Sequence, residues 1–132
     1  PQPELGMPVM PEYLEGNAKA CWEELSEMLL DMGVLTKSDG MALALMCETY
    51  SHWRRSQDLL AKYGDVYPIK DDNGKVKYLQ QTPYVAIARN FAKQFKDMLC
   101  EFGLTPSSRS RIQTVADGKT AKADERMSYF GG

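Results

Sequence analysis

The chain has few residues suited to chemistry at a metal or redox site. Its 132 residues contain one histidine, His52, and three widely spaced cysteines, Cys21, Cys47 and Cys100. Zinc sites need clustered Cys and His ligands, usually with a C-x-x-C pair, which this sequence lacks. We therefore expect no metal site, and we interpret the cysteines as buried, reduced thiols of a cytoplasmic protein.

Motifs of common enzyme classes are also missing. The sequence has no Gly-rich Walker loop, no H-E-x-x-H and no nucleophile elbow. Acidic pairs such as Glu23 and Glu27 have the four-residue spacing of an exposed helix face, and no second acidic cluster suggests a two-metal nuclease. We predict that the chain is not an enzyme and needs no cofactor.

Long apolar runs are absent too. No stretch approaches the ~20 apolar residues of a membrane span. A chain of this length makes one domain and buries roughly two thirds of its unfolded surface. We therefore expect no membrane partner.

Charge is divided unevenly along the chain. Residues 1–48 contain nine acidic residues and two lysines, a net charge of −7, and since the whole chain carries −2, residues 49–132 carry +5. This asymmetry suggests that one end avoids polyanions while the other contacts them, or that neighbouring copies pair head to tail. A solvated helix surface without a partner explains the same composition.

Periodicity predicts a mainly helical fold with three long helices, a short fourth helix and one β-hairpin between the second and third. Residues 1–10 are rich in Pro and Gly and predict an extended arm. The predicted elements are a first helix from Pro11 to Gly33, a second from Ser38 or Asp39 to about Tyr63, a hairpin within 64–82, a third helix from Pro83 to about Phe102, a helical core that ends at 113, and a basic, flexible tail at 114–132.

Apolar residues in the first two predicted helices indicate where copies of the chain associate. The first helix has an apolar stripe at heptad spacing, which Trp22 and Leu29 widen to more than one contact face. The stripe consists of Leu14, Ala18, Cys21, Leu25, Met28 and Met32. In the second helix, residues 41–46 are apolar on nearly every side. This is more apolar surface than one small pair of helices can bury. We predict a closed ring of more than about four copies, with an interface that includes Trp22, Met41, Leu45 and Trp53.

The segment Phe102–Ile112, FGLTPSSRSRI, joins the third helix to the fourth. Gly103 is suited to close one helix, while Thr105 and Pro106 are suited to begin the next. This segment resembles the corresponding part of one large family of phage terminase small subunits. The similarity extends over most of the chain through residues in the same order: Pro11-Glu12-Tyr13-Leu14, Trp22, Gly33-Val34-Leu35, Asp39, Cys47, Tyr50, Trp53 and Gly64.

The resemblance implies a viral genome-packaging role. Members of that family form rings, bind double-stranded phage DNA near the packaging initiation site, and modulate a large subunit that carries the ATPase and nuclease. It also implies a cyclic homo-oligomer of about eight to ten copies, a nonamer included. A small helical phage structural or regulatory protein without DNA contact is the alternative.

Basic residues in the second half are the candidate DNA contacts. Arg109 and Arg111 stand at the start of a predicted helix, where backbone N–H groups favour phosphate. The other candidates are Arg89, Lys93 and Lys96, spaced as one helical stripe, and Lys119 and Lys122 in the tail. A solvated helix face explains the stripe equally well, and Arg109 and Arg111 are alternatively ion-pair partners for acids of an adjacent subunit.

Overall fold

The computed structural model describes residues 3–107. They form α1 (Gly16–Asp31), a single 3₁₀ turn (Lys37–Asp39), α2 (Gly40–Tyr63), the strands β1 (Val66–Lys70) and β2 (Val76–Gln81), and α3 (Pro83–Glu101). The mainly helical class and the single hairpin are confirmed. The described residues contain three helices, whereas the sequence predicted three and a short fourth. Of that fourth helix only Pro106 and Ser107 are described, and both have helical backbone.

The described residues belong to two compact units that divide between Phe95 and Lys96. The first unit contains α1, α2, the hairpin and most of α3. The described part of the second contains the end of α3 and the turn around Gly103.

The helix ends follow the predicted glycine signals. Gly33 has φ +72°, and the N–H of Val34 bonds to the carbonyl of Leu29 at 3.2 Å. Gly103 has φ +75°, and the N–H of Leu104 bonds to the carbonyl of Leu99 at 2.8 Å. This six-to-one bond with a left-handed glycine closes both α1 and α3.

The start of α1 differs from the prediction. Residues 12 and 13 form a turn, in which the N–H of Leu14 bonds to the carbonyl of Pro11 at 3.3 Å, and the helix begins only at Gly16. Leu14 is buried, but it precedes the helix. The proline was a turn signal here rather than a first helical residue.

The core lies between α1 and α2, which pack against each other. Its buried apolar members include Ala18, Cys21, Trp22, Leu29, Leu43, Ala44, Met46 and Cys47. The predicted stripe on α1 is therefore partly wrong. Leu25 and Met32 are only half-buried, and Met28 is 41% exposed, while its neighbour Leu29 is fully buried.

The N-terminal arm is paired with the segment between α1 and α2. Leu5 forms an antiparallel bridge with Thr36, the N–H of Gly6 bonds to the carbonyl of Leu35, and Lys37 forms a 3.1 Å ion pair with Glu4. Farther along, a Cβ placed on Gly40 would lie 3.4 Å from Cβ of Pro8. The arm therefore passes over the first residue of α2, and glycine there permits the close approach.

The hairpin turn also follows its sequence signal. Gly74 has φ +80°, and both Asn73 and Lys75 donate their N–H groups to Oδ1 of Asp71 at 2.9 Å. The aspartate thus organises the backbone of the turn.

Thr82 fixes the base of the hairpin. Its hydroxyl donates to the carbonyl of Gly64 at 2.8 Å, its N–H donates to the carbonyl of Asp65 at 2.7 Å, and the residue is 6% exposed. These bonds join the end of α2 to the start of α3.

Replacing Thr82 with valine is expected to lower the free energy of unfolding by about 1 kcal/mol. Valine keeps the shape, but the carbonyl of Gly64 loses its hydroxyl donor. Urea denaturation monitored by circular dichroism measures the change. An unchanged midpoint and slope would show that this bond does not stabilise the fold.

Candidate nucleic-acid and assembly surfaces

Aromatic rings form the contact between α2 and α3. Tyr50 lies 5.3 Å from Phe95, and His52 stacks on Phe91 at 5.2 Å. Nearer the hairpin, Tyr63 stacks on Tyr84 at 5.6 Å. In these three pairs the residue numbers increase along α2 while they decrease along α3, so the two helices run antiparallel. This contact fixes which face of α3 points away from α2.

Arg89 and Lys93 project from the other side of α3. Both are exposed, and helical geometry places them roughly opposite Phe91 and Phe95. Lys96, one turn farther along, is also exposed and is the first residue of the second unit. Within residues 3–107 no carboxylate lies within ion-pair distance of any of the three, since the ion pair found there joins Lys37 to Glu4. These cations are therefore available to an anionic partner.

The remaining predicted DNA contacts are Arg109, Arg111, Lys119 and Lys122. They lie outside the described residues. Their role stays a sequence-based prediction.

Cations on α2 contact rings of their own helix. The guanidinium of Arg54 lies 5.7 Å from the centroid of Trp53, and the ammonium of Lys62 lies 5.2 Å from that of Tyr63. Arg55 is exposed. Cation–π contact and the negative end of the helix dipole are sufficient reasons for cations at this end of α2.

The predicted interface residues divide into two groups. Met41 and Leu45 are 87% and 59% exposed. Trp22, by contrast, is 4% exposed in the core, and Trp53 is half-buried next to Tyr50, with ring centroids 6.1 Å apart. The burial of Trp22 thus needs no second copy, whereas Met41 and Leu45 offer apolar area to one.

Tyr13, in the turn that follows the arm, enlarges that apolar area. Tyr13, Met41, Ala42, Leu45 and Glu48 line an open cleft of about 390 Å³, in which Tyr13 is 66% exposed. We call these five residues the Met41 surface. Tyr13 was not among the predicted interface residues, because only the path of the arm brings it beside α2.

The hairpin is a second exposed apolar region. Every residue of β2 is exposed, and all of β1 except the half-buried Ile69. Its most exposed large side chains include Val66, Val76, Tyr78 and Leu79, at 48%, 50%, 54% and 63%. These side chains therefore offer apolar area to a partner.

The cysteines are free thiols. Cys21 and Cys47 are buried, while Cys100 is half-buried, so the prediction of three buried thiols is wrong for Cys100. A hydrogen bond with Cys21, and then burial, raise the pKa of the Cys47 thiol well above its ordinary value. Cys47 therefore stays protonated at neutral pH and acts as an apolar core residue.

Metal-binding clusters and membrane-spanning helices are not found among residues 3–107. No three His, Cys, Asp or Glu residues converge there as a metal site. No helix in that part of the chain has the length and apolar character to cross a bilayer.

Comparison with known proteins identifies the family. The model of a family described as phage terminase, small subunit, matches residues 18–119, which are 102 of the 132 residues. No curated protein and no solved structure gives a significant match. The match covers α1 from Ala18 onwards, α2, the hairpin and α3. The chain belongs to the phage terminase small subunit family.

Proposed function

We propose that the chain is the DNA-recognition subunit of a phage packaging motor. As an oligomeric ring in the host cytoplasm, it binds double-stranded phage DNA at the packaging initiation site. It also regulates the large subunit that carries the ATPase and nuclease. The family match over residues 18–119 is the observation that carries this proposal.

Assembly is supported by exposed apolar area. The Met41 surface and the hairpin both expose large apolar side chains. Contiguous apolar patches on a small protein mark interaction sites. In a ring, neighbouring copies of the same chain cover these two surfaces.

DNA binding is supported by the exposed cations of α3. Arg89, Lys93 and Lys96 have no acidic partner within the described residues. Three cations per subunit bind phosphate weakly, but a ring repeats them in every copy, so affinity arises from multivalency. Sequence-specific base reading is not implied by lysine and arginine on a helix face alone.

Catalysis belongs to the large subunit in this proposal. The sequence lacks a Gly-rich loop that cradles a triphosphate. The contribution of this chain to ATP hydrolysis is therefore regulatory and requires the large subunit.

The proposal predicts a stable ring with salt-sensitive affinity for duplex DNA. Light scattering at micromolar concentration should give a mass several times the 14.9 kDa of one chain. Duplex affinity, measured by fluorescence anisotropy, should fall steeply as salt rises, because counterions are released on binding. A folded monomer that ignores DNA would instead favour the alternative, a helical phage structural or regulatory protein.

A companion variant, Arg109→Ala with Arg111→Ala, tests the predicted contacts beyond α3. Loss of DNA binding with the ring intact supports phosphate contact by these arginines. Dissociation of the ring shows that they pair with acids of a neighbouring copy, and removes them from the DNA site.

A further inference from the structure

The two apolar regions lie at opposite ends of α2. Met41, Leu45 and Glu48 belong to its first half, while the hairpin follows its last residue, Tyr63. A helix of 24 residues is about 36 Å long. Since Met41 and Leu79 are 87% and 63% exposed, the two regions do not cover each other within one chain.

One face of the hairpin has the character of a docking surface. Pro68 pairs with Leu79, and Lys70 pairs with Val76 after an irregularity in the ladder. Paired residues share a face, and alternate residues of a strand do so too. We call this the Leu79 face; it contains Val66, Pro68, Lys70, Val76, Leu79 and Gln81.

The two regions carry side chains of opposite charge. The hairpin strands carry Lys70 and Lys77 and no acidic residue, while the acids Asp71 and Asp72 lie in the turn that joins the strands. The Met41 surface includes Glu48, and its Tyr13 lies between the exposed residues Glu12 and Glu15 along the chain. Opposite charges around apolar contacts favour one docking arrangement over others.

We infer that the Leu79 face of one copy docks on the Met41 surface of the next copy. This inference rests on the proposed ring assembly, and it identifies the two surfaces that form the interface between neighbouring copies. Because the two surfaces differ and lie at opposite ends of α2, their contact is head to tail, which generates a ring when the rotation closes.

Other pairings fit the charges less well. Contact between two Met41 surfaces brings Glu48 towards Glu48, and contact between two Leu79 faces brings Lys70 towards Lys70. Duplex DNA is also a poor occupant for the hairpin, because the turn carries Asp71 and Asp72 and the Leu79 face is mostly apolar.

Two variants, each with one of the two docking surfaces blocked, test the interface when they are mixed. Leu45→Arg disables the Met41 surface, and Leu79→Arg disables the Leu79 face. Each variant alone should be monomeric by light scattering and retain wild-type helicity by circular dichroism. Mixed, they should form a one-to-one dimer and stop there, because only one intact junction remains between them.

Matched controls carry the same charge elsewhere. Gln80→Arg lies next to Leu79 on the opposite face of β2, and Ala61→Arg lies near the other end of α2 on a different side of the helix. Both controls should assemble like the wild type. If Leu45→Arg and Leu79→Arg still form rings, or if their mixture stays monomeric, the interface assignment is wrong.

A charge exchange provides a milder test that leaves the apolar contacts intact. Glu48→Lys and Lys70→Glu should each raise the dissociation constant of assembly at least about tenfold, and their combination in one chain should recover much of that loss. Absence of any recovery contradicts the pairing of these surfaces. A wild-type chain that is itself monomeric would refute the proposed ring, a result distinct from failure of the interface alone.

Discussion

Replacing Leu29 with alanine is expected to lower the free energy of unfolding by about 2–5 kcal/mol. Leu29 is fully buried in the core between α1 and α2, so the truncation removes apolar packing and leaves a cavity. Native stabilities are commonly about 5–15 kcal/mol, so this loss is a large fraction of the total. Denaturant titration at a fixed protein concentration measures it.

Met28→Ala is the matched control. Met28 precedes Leu29 on the same helix but is 41% exposed, so its truncation should cost less than about 1 kcal/mol. The pair distinguishes the observed orientation of α1 from the one predicted by the heptad stripe, which placed Met28 in the core. Equal losses at both positions would contradict the observed burial.

The second large effect is expected for DNA affinity. Arg89→Ala with Lys93→Ala removes two exposed cations from every subunit, and multivalent binding multiplies that loss around the proposed ring. At about 0.1 M salt we expect affinity for a duplex to fall more than about tenfold. The slope of log affinity against log salt should also decrease by about 0.9 for each DNA phosphate that the variant no longer neutralises.

Lys19→Ala with Lys75→Ala provides the charge-matched control. It changes net charge by the same amount, and both lysines are exposed, one on α1 and one in the loop of the hairpin. Its affinity and salt slope should stay close to those of the wild type, with ring mass checked for both variants. If the two double variants bind DNA equally weakly, net charge rather than the α3 stripe determines affinity.

Local signals in the sequence predicted most element boundaries. Gly33 and Gly103 end their helices with φ near +70°, a conformation that glycine adopts without strain, and Asp71 and Gly74 shape the hairpin turn as expected. Such features depend on a few neighbouring residues. They are therefore visible without knowledge of the packing.

The orientation of α1 was harder to predict because apolar residues cover more than one of its faces. The heptad stripe includes Met28, while Trp22 and Leu29 widen it to a second face. The buried positions on the helix include Ala18, Trp22 and Leu29, so the core covers this second face. Only the packing distinguishes the two faces.

Composition did not distinguish core from interface at the start of α2. Residues 41–46 are apolar nearly all round, but Leu43, Ala44 and Met46 are buried by the chain itself, while Met41 and Leu45 are exposed. Only the packing of α1 divides them. Tyr13 was missed for a related reason, since its place beside α2 depends on the arm rather than on helical periodicity.

The pairing of the arm makes the contribution of Tyr13 to the Met41 surface conditional. Tyr13 is supplied by the segment that follows the arm, and the arm is held by the Leu5–Thr36 bridge, a few backbone hydrogen bonds and one exposed ion pair, whereas Met41 and Leu45 are built into α2. Segments held by so few bonds detach at a lower free-energy cost than core helices do. Any partner that binds the Met41 surface therefore also stabilises the attached arm. By thermodynamic linkage, a change that frees the arm weakens the binding of that partner.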